Sequence, residues 1–287
     1  MGERLKAREA FRAAGAEAAS FFRGTRWVTL PVMAVFIREQ VTEPLAAVSR
    51  MMGEPLSAVE PFLAVTGSGT VLLVLPALFL VLASDLPGEE AGGLFVRVRM
   101  GRRSWAAGEM LVSAAFSAAA VGFIFIVSTL LSLPFTALMT GYSHALTGYT
   151  AAFPERSGDY AASLLPEAVY QQLAPVPAAF LTALLLFLSF LFLSLLMLAF
   201  ALAGRKTAGV VLAAALTAAG AVLVELKAGF MWLLPLPHAV LSLHFSGYMR
   251  EPVFPPAGSV LDLGGLCLIA GAVCMHFSKT YEGGRHD

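Results

Sequence analysis

The sequence predicts an all-α membrane protein, and three observations lead to that class. The 287 residues are 58% hydrophobic and only 13% charged, whereas soluble domains sit near about 45–50% apolar and about 25% charged. Several uncharged stretches exceed the roughly 20 residues a helix needs to cross about 30 Å of hydrocarbon, and the mean hydropathy is +0.77. Lysine and arginine are also distributed unevenly between the connections, as in chains of fixed membrane orientation. The expected architecture is a six-helix transmembrane bundle with an N-terminal amphipathic interfacial helix and a re-entrant helical hairpin before the last span.

Residues 1–26 come first, reading ERLKAREAFRAAGAEAASFFR from Glu3 to Arg23. Ala7, Phe11, Ala14, Ala18 and Phe21 recur at helical spacing with cations on the other faces, which suits a helix lying on the cytoplasmic membrane surface. A solvated alanine-rich helix is the simpler alternative. A secretory signal is not expected, because 26 residues rich in charge and alanine precede Trp27.

The transmembrane domain is expected over 27–278, with spans near 26–45, 61–83, 105–133, 176–203, 208–226 and 259–277, and a cytoplasmic tail at 279–287. The first span carries Arg38, Glu39 and Glu43, so its outer part must face protein or water. Phe230–Phe245, FMWLLPLPHAVLSLHF, is apolar but short and interrupted by Pro235 and Pro237. Proline removes backbone donors that lipid cannot replace, so this segment reads as a re-entrant or interfacial pair of half-helices.

Orientation follows from the cations. The segments 1–26, 86–104, 204–207 and 279–287 hold 6, 4, 2 and 2 of them, a total of 14. The segments 38–60, 135–175 and 227–258 hold 2, 1 and 2, a total of 5. The positive-inside rule then places both termini in the cytoplasm and favours an even number of spans. The cell membrane is the expected location.

Few residues suggest catalysis. Thr66–Thr70, TGSGT, resembles a serine elbow, but Thr66 stands where the rhomboid-like pattern needs glycine. Glu89–Glu90 lacks the arginine of an EExxxR motif, since Leu94 occupies that position, and no HExxH occurs. His144, His238, His244, His276 and His286 are scattered, and no metal site is expected. Cys267 and Cys274 lie seven apart, about 10 Å along a helix and beyond disulfide reach. Glu109, Glu225 and Asp262 fall near span ends, where water or a cation can meet them. No GxxxxGK[ST] loop is present, so the chain is not expected to hydrolyse ATP itself, and nothing points to nucleic acid. Small residues recur every fourth position at Ala114, Ala118 and Gly122, and at Gly209, Ala213, Thr217 and Ala221. That spacing lets helices approach closely, within the bundle or across a subunit interface.

The connection after the second span is the most informative stretch: GEEAGGLFVRVRMGRRSWAAGEM, Gly88–Met110. Orientation alone explains its arginines, but not Asp85, Glu89 and Glu90, since acids contribute little to topology. Nor does it explain the apolar Leu94, Phe95 and Val96. Acid, glycine turn, apolar patch and basic helix together describe a short surface element that docks into another protein.

In this arrangement the chain resembles the permease subunits of type-2 ABC exporters. The resemblance rests on Asp85, Glu89, Glu90, Gly92, Gly93, Leu94, Phe95, Arg99, Gly101, Arg102, Arg103, Trp105 and Gly108, and on the order of the whole plan. EEAGGLF departs from the family's commoner Glu-x-Gly-Thr turn. The resemblance implies a non-catalytic membrane subunit that exports a hydrophobic or amphipathic substrate such as a peptide, drug or lipid-like molecule. Its partners would be an ATP-binding-cassette ATPase carrying the ATP and Mg, and a second permease chain, identical or related. The coupling element would be Asp85, Glu89, Glu90, Leu94, Phe95, Arg99, Arg102 and Arg103. An ion-coupled secondary transporter, using Glu109, Glu225 or Asp262, and a non-transporting scaffold or sensor subunit are the alternatives.

Overall fold

Charge and proline interrupt the first apolar run without ending it. The computed structural model describes residues 26–84, 101–245 and 252–279. The expected interfacial helix at 1–26 and the cytoplasmic tail lie almost wholly outside them. α1 (Thr29–Ile37) passes through a π turn at Arg38–Thr42 into α2 (Glu43–Met52). Pro44 has no N–H for the carbonyl four residues back, and the Glu43 N–H bonds Arg38 O, one residue farther than in an α-helix. The helix therefore continues to Met52 and stops at Gly53, whose φ of 68° favours glycine. Arg38, Glu39 and Glu43 satisfy one another: Arg38 pairs with Glu39 at 3.2 Å and with Glu43 at 2.9 Å.

The second expected span is two pieces, α3 (Glu60–Ala64) and α4 (Gly69–Ala83), separated at residues 65–68. The glycines of TGSGT explain the break. A side chain at Gly67 would collide with the Leu164 backbone carbonyl, and one at Gly69 with the Glu225 carboxylate. Gly69 N–H donates to Glu225 Oε1 at 3.0 Å, which places a negative charge at the start of α4 where its dipole favours one.

Four longer helices follow: α5 (Arg102–Ser132), α6 (Pro175–Leu202), α7 (Lys206–Glu225) and α8 (Pro256–Phe277). All four are long and apolar enough to cross a membrane, and the chain is an all-α membrane protein. Their limits fall within three residues of the expected ones. Pro175 and Pro256 open α6 and α8, where a missing N–H costs nothing.

α6 is the central helix. Of its most apolar stretch 56% is buried, against 28–33% in the other three long helices, and Phe190 stacks on Phe79 of α4 at 4.4 Å. The Cys267 and Cys274 thiols donate to Leu188 O and Leu195 O. Because both steps are seven residues in the same sense, α8 runs parallel to α6. The cysteines share one buried face and are not bonded to each other. Gly204, with φ of 76°, lets Arg205 N–H bond Phe200 O and turns the chain back into α7.

Phe230–Phe245 contains no crossing helix. It forms three short turns, Gly229–Leu233, Pro235–His238 and Leu241–His244. The middle turn is buried, with Leu236 against Gly220 of α7 and the Pro235 carbonyl accepting from Ser189 of α6. Beside it, short helices between His144 and Tyr170 cover the same end of the bundle. A two-residue parallel pairing, Leu56↔Thr136 and Ser57↔Ala137, ties that cover to the chain after α2.

Candidate functional site: two unlike ends of the bundle

The directions of the helices sort the described charges into two sets. At one end meet the start of α5, the turn between α6 and α7, and the end of α8. They bring Arg102, Arg103, Arg205, Lys206 and Lys279, and the nearest described acid, Glu109, lies two turns into α5. Arg102 donates to Lys279 O at 2.8 Å, joining the start of α5 to the end of α8. Arg102 is thus a clasp between helices, which its place in a basic cluster did not indicate. Asp85, Glu89, Glu90, Leu94, Phe95 and Arg99 of the expected coupling element lie outside the described residues. The connection that carries them leaves from the end of α4 and returns at Gly101, so it joins this basic end.

The same half of the bundle carries an apolar groove of ≈ 530 Å³ between α6 and α8. Phe192, Leu196 and Phe200 line one wall, Leu266, Ile269 and Val273 the other, and Arg205 stands among the lining residues at the end of α6.

The two small-residue stripes separate in the structure. Gly209, Ala213 and Thr217 are buried, and a side chain at Gly209 would meet Phe200 Cβ at 2.6 Å. Thr217 Oγ1 donates to Ala213 O, so its hydroxyl is satisfied within its own helix. That stripe packs α7 within the bundle. On α5 the face differs: Ala118 is exposed, Ala114 is half-buried, and nothing lies within 4 Å of a side chain built at Gly122. Among the described residues the second stripe is only partly covered.

The opposite end holds polar groups that are buried and bonded. Glu60, fully buried, accepts from Ser57 N–H at 2.8 Å and from Ser143 N–H and Oγ–H at 2.6 and 2.8 Å. Burial pushes its carboxyl up despite those three bonds. Tyr142 nearby is pushed to about 12 by burial and by the Glu60 charge. Sequence reasoning missed Glu60 because its partner lies 83 residues away.

His238, His244 and Ser259 form a second buried group. Ser259 Oγ lies 2.7 Å from His238 Nδ1 and 2.8 Å from His244 Nε2. The remaining nitrogens lie 2.8 Å from Trp232 O and 3.0 Å from Val240 O. Trp232 and Phe254 stack at 4.6 Å and pack against both imidazoles. Burial lowers both histidines, His244 to about 4. Asp262 sits one turn further along α8.

The acids singled out from sequence do not converge. Glu109 is buried near the basic end, while Glu225 and Asp262 are exposed at the other. Among the described residues no group of His, Cys, Asp and Glu could hold a metal ion.

These features define a class: a helical membrane protein with a basic end beside the 85–100 connection and a proline-broken, hydrogen-bonded end opposite. No family model matches the chain, and no curated protein or solved structure matches it.

Proposed function

We propose that this chain is the membrane permease subunit of an ATP-driven exporter of the type-2 ABC class, working with a separate ATP-binding subunit. The observation that carries the reading is the collection of Arg102, Arg103, Arg205, Lys206 and Lys279 at one end, where the chain leaves α4 and re-enters α5 on either side of the acid–apolar–basic sequence that starts at Asp85. In this reading that end and both termini are cytoplasmic, six segments cross the cell membrane, and Phe230–Phe245 enters from outside and returns. The ATPase docks on the connection, holds ATP and Mg, and moves α4 and α5, which the connection joins.

Two further observations support it. The outward stripe of Ala114, Ala118 and Gly122 offers a close-packing face for a second permease chain. The groove between α6 and α8, apolar with Arg205 at its rim, suits a lipid-like or amphipathic cargo. Ion-coupled transport finds less support, since Glu109, Glu225 and Asp262 lie at opposite ends.

The test is co-purification of the full chain from its native membrane, followed by an ATPase assay with and without candidate cargo. The expected result is an ATP-binding-cassette protein retained with the chain and stimulated by cargo. A chain that transports after reconstitution alone, driven by an ion gradient, overturns the proposal.

A further inference from the structure

The two histidines around Ser259 raise a proton-counting problem that geometry alone resolves. A backbone carbonyl only accepts, so His238 Nε2 must carry the proton it shares with Trp232 O at 2.8 Å. By the same argument His244 Nδ1 carries the proton facing Val240 O at 3.0 Å. In neutral imidazoles the remaining nitrogens, His238 Nδ1 and His244 Nε2, are both lone pairs. Both point at the same hydroxyl, at 2.7 and 2.8 Å. Ser259 has one hydrogen to donate. Two acceptors therefore share one proton, and a short lone-pair contact is left over in a site that is wholly buried.

We propose that His238, Ser259 and His244 form a binding site for one proton, which ties the proline-broken segment to the start of α8. The uptake balances simply. A proton from water adds to one imidazole, whose new N–H donates to Ser259 Oγ, and the Ser259 hydroxyl donates to the other imidazole. All four contacts of the group are then satisfied. A second proton would set two N–H donors against one hydroxyl and two imidazolium charges side by side, so the site takes one.

The surroundings fit a single positive charge. Trp232 has its ring centroid 5.4 Å from His238 and 5.1 Å from His244, so one indole borders both imidazoles. Among the described elements packed on the pair, α6 has no ionisable side chain besides hydroxyls, α7 has Lys206 and Glu225 at its two ends, and α8 has Asp262, Cys267, Cys274 and His276. The Glu167–Tyr170 turn adds Glu167 and Tyr170. Of these, Asp262 favours the charged form of His238, while His238 opposes charge on His244. Burial opposes the charge and moves uptake to the acid side of the ordinary histidine range. The inference stands on the bonding geometry and does not depend on the exporter reading.

The experiment is nitrogen-15 imidazole NMR of the full chain in lipid nanodiscs, titrated from about pH 8 to about pH 3 and assigned with His144→Gln, His276→Gln and His286→Gln controls. The expected result is one coupled step seen at both His238 and His244, with one proton bound between them. Ser259→Ala should split that step into two separate titrations. His244→Gln, whose amide supplies the missing donor, should shift His238 uptake to lower pH. Two protons bound independently in the unsubstituted chain, or an unchanged pattern in Ser259→Ala, overturns the proposal. The titration of the unsubstituted chain decides this even where a variant fails to fold.

Discussion

The two ends of the bundle treat charge in opposite ways. At the loop end, charges meet compensating groups inside the chain: Arg38 with Glu43 at 2.9 Å, His144 with Glu54 at 3.2 Å, and Glu60 with three donors. At the basic end Arg102, Arg103, Arg205, Lys206 and Lys279 gather, and Glu109 is buried two turns into α5. The first pattern holds a structure together. The second gathers like charge where three helix ends meet. The loop end is tied by bonds between segments far apart in the chain, and among the described residues the basic end is tied by the Arg102 clasp.

The sharpest way to break this comparison is to ask which end faces the cytoplasm. Ala203→Cys and Ser157→Cys, each in a chain lacking Cys267 and Cys274, sit on exposed positions at the basic and loop ends. An impermeant thiol reagent on intact cells should label the second and spare the first. The reverse pattern would invert the orientation and remove the basic end from any cytoplasmic ATPase.

Loss of the buried carboxylate should produce the largest stability effect. Glu60→Ala leaves Ser57 N–H and both Ser143 donors without their acceptor, at a cost of about 4 kcal/mol. Thermal melting of the purified chain measures it, and an unchanged midpoint would show that Glu60 does not hold the loop end. Acid should act next. The folded value of His244, about 4, lies below its ordinary 6.5, so the unfolded chain binds the proton more readily. This contribution is fully present above about pH 6.5 and drains as pH falls toward 4, by on the order of 3 kcal/mol. His244→Gln should flatten that part of the stability profile.

A smaller effect distinguishes the two stripes. Gly209→Val should cost about 2 kcal/mol, because its Cβ meets Phe200. Gly122→Val meets nothing within 4 Å and should leave melting unchanged while weakening cross-linking between chains. Equal melting losses in both would place Gly122 within the bundle.

The long helices were legible because uncharged runs of 20 or more residues leave one outcome in lipid. Pro175, Pro256 and Gly204 mark their ends by backbone chemistry that can be read locally. The first two apolar runs were less legible. The π turn follows from one missing N–H at Pro44, and the break at 65–68 exists to admit Leu164 and Glu225, which lie about 100 and 150 residues away. Glu60, His238, His244 and Ser259 were not legible as groups at all. Each joins residues that only the folded chain brings together, and the histidines at 238 and 244 share no spacing that a sequence pattern would flag. The stripes show the same limit from the other side: identical spacing at 114–122 and 209–217 gives one partly exposed face and one buried face.

The claim that the basic end docks an ATPase is tested most directly at Phe95, the large apolar residue between its acids and arginines. An anchor of that kind, truncated at the centre of a contact, costs roughly 2 kcal/mol or more, about a 30-fold loss of binding. Arg103→Gln, a charge at the rim, should cost about 0–1 kcal/mol. Retention of the ATP-binding partner and cargo-stimulated ATPase activity would be measured in membranes holding equal amounts of each variant. The account predicts that Phe95→Ala releases the partner and abolishes stimulation while Arg103→Gln retains both. Normal retention and stimulation in Phe95→Ala would contradict it.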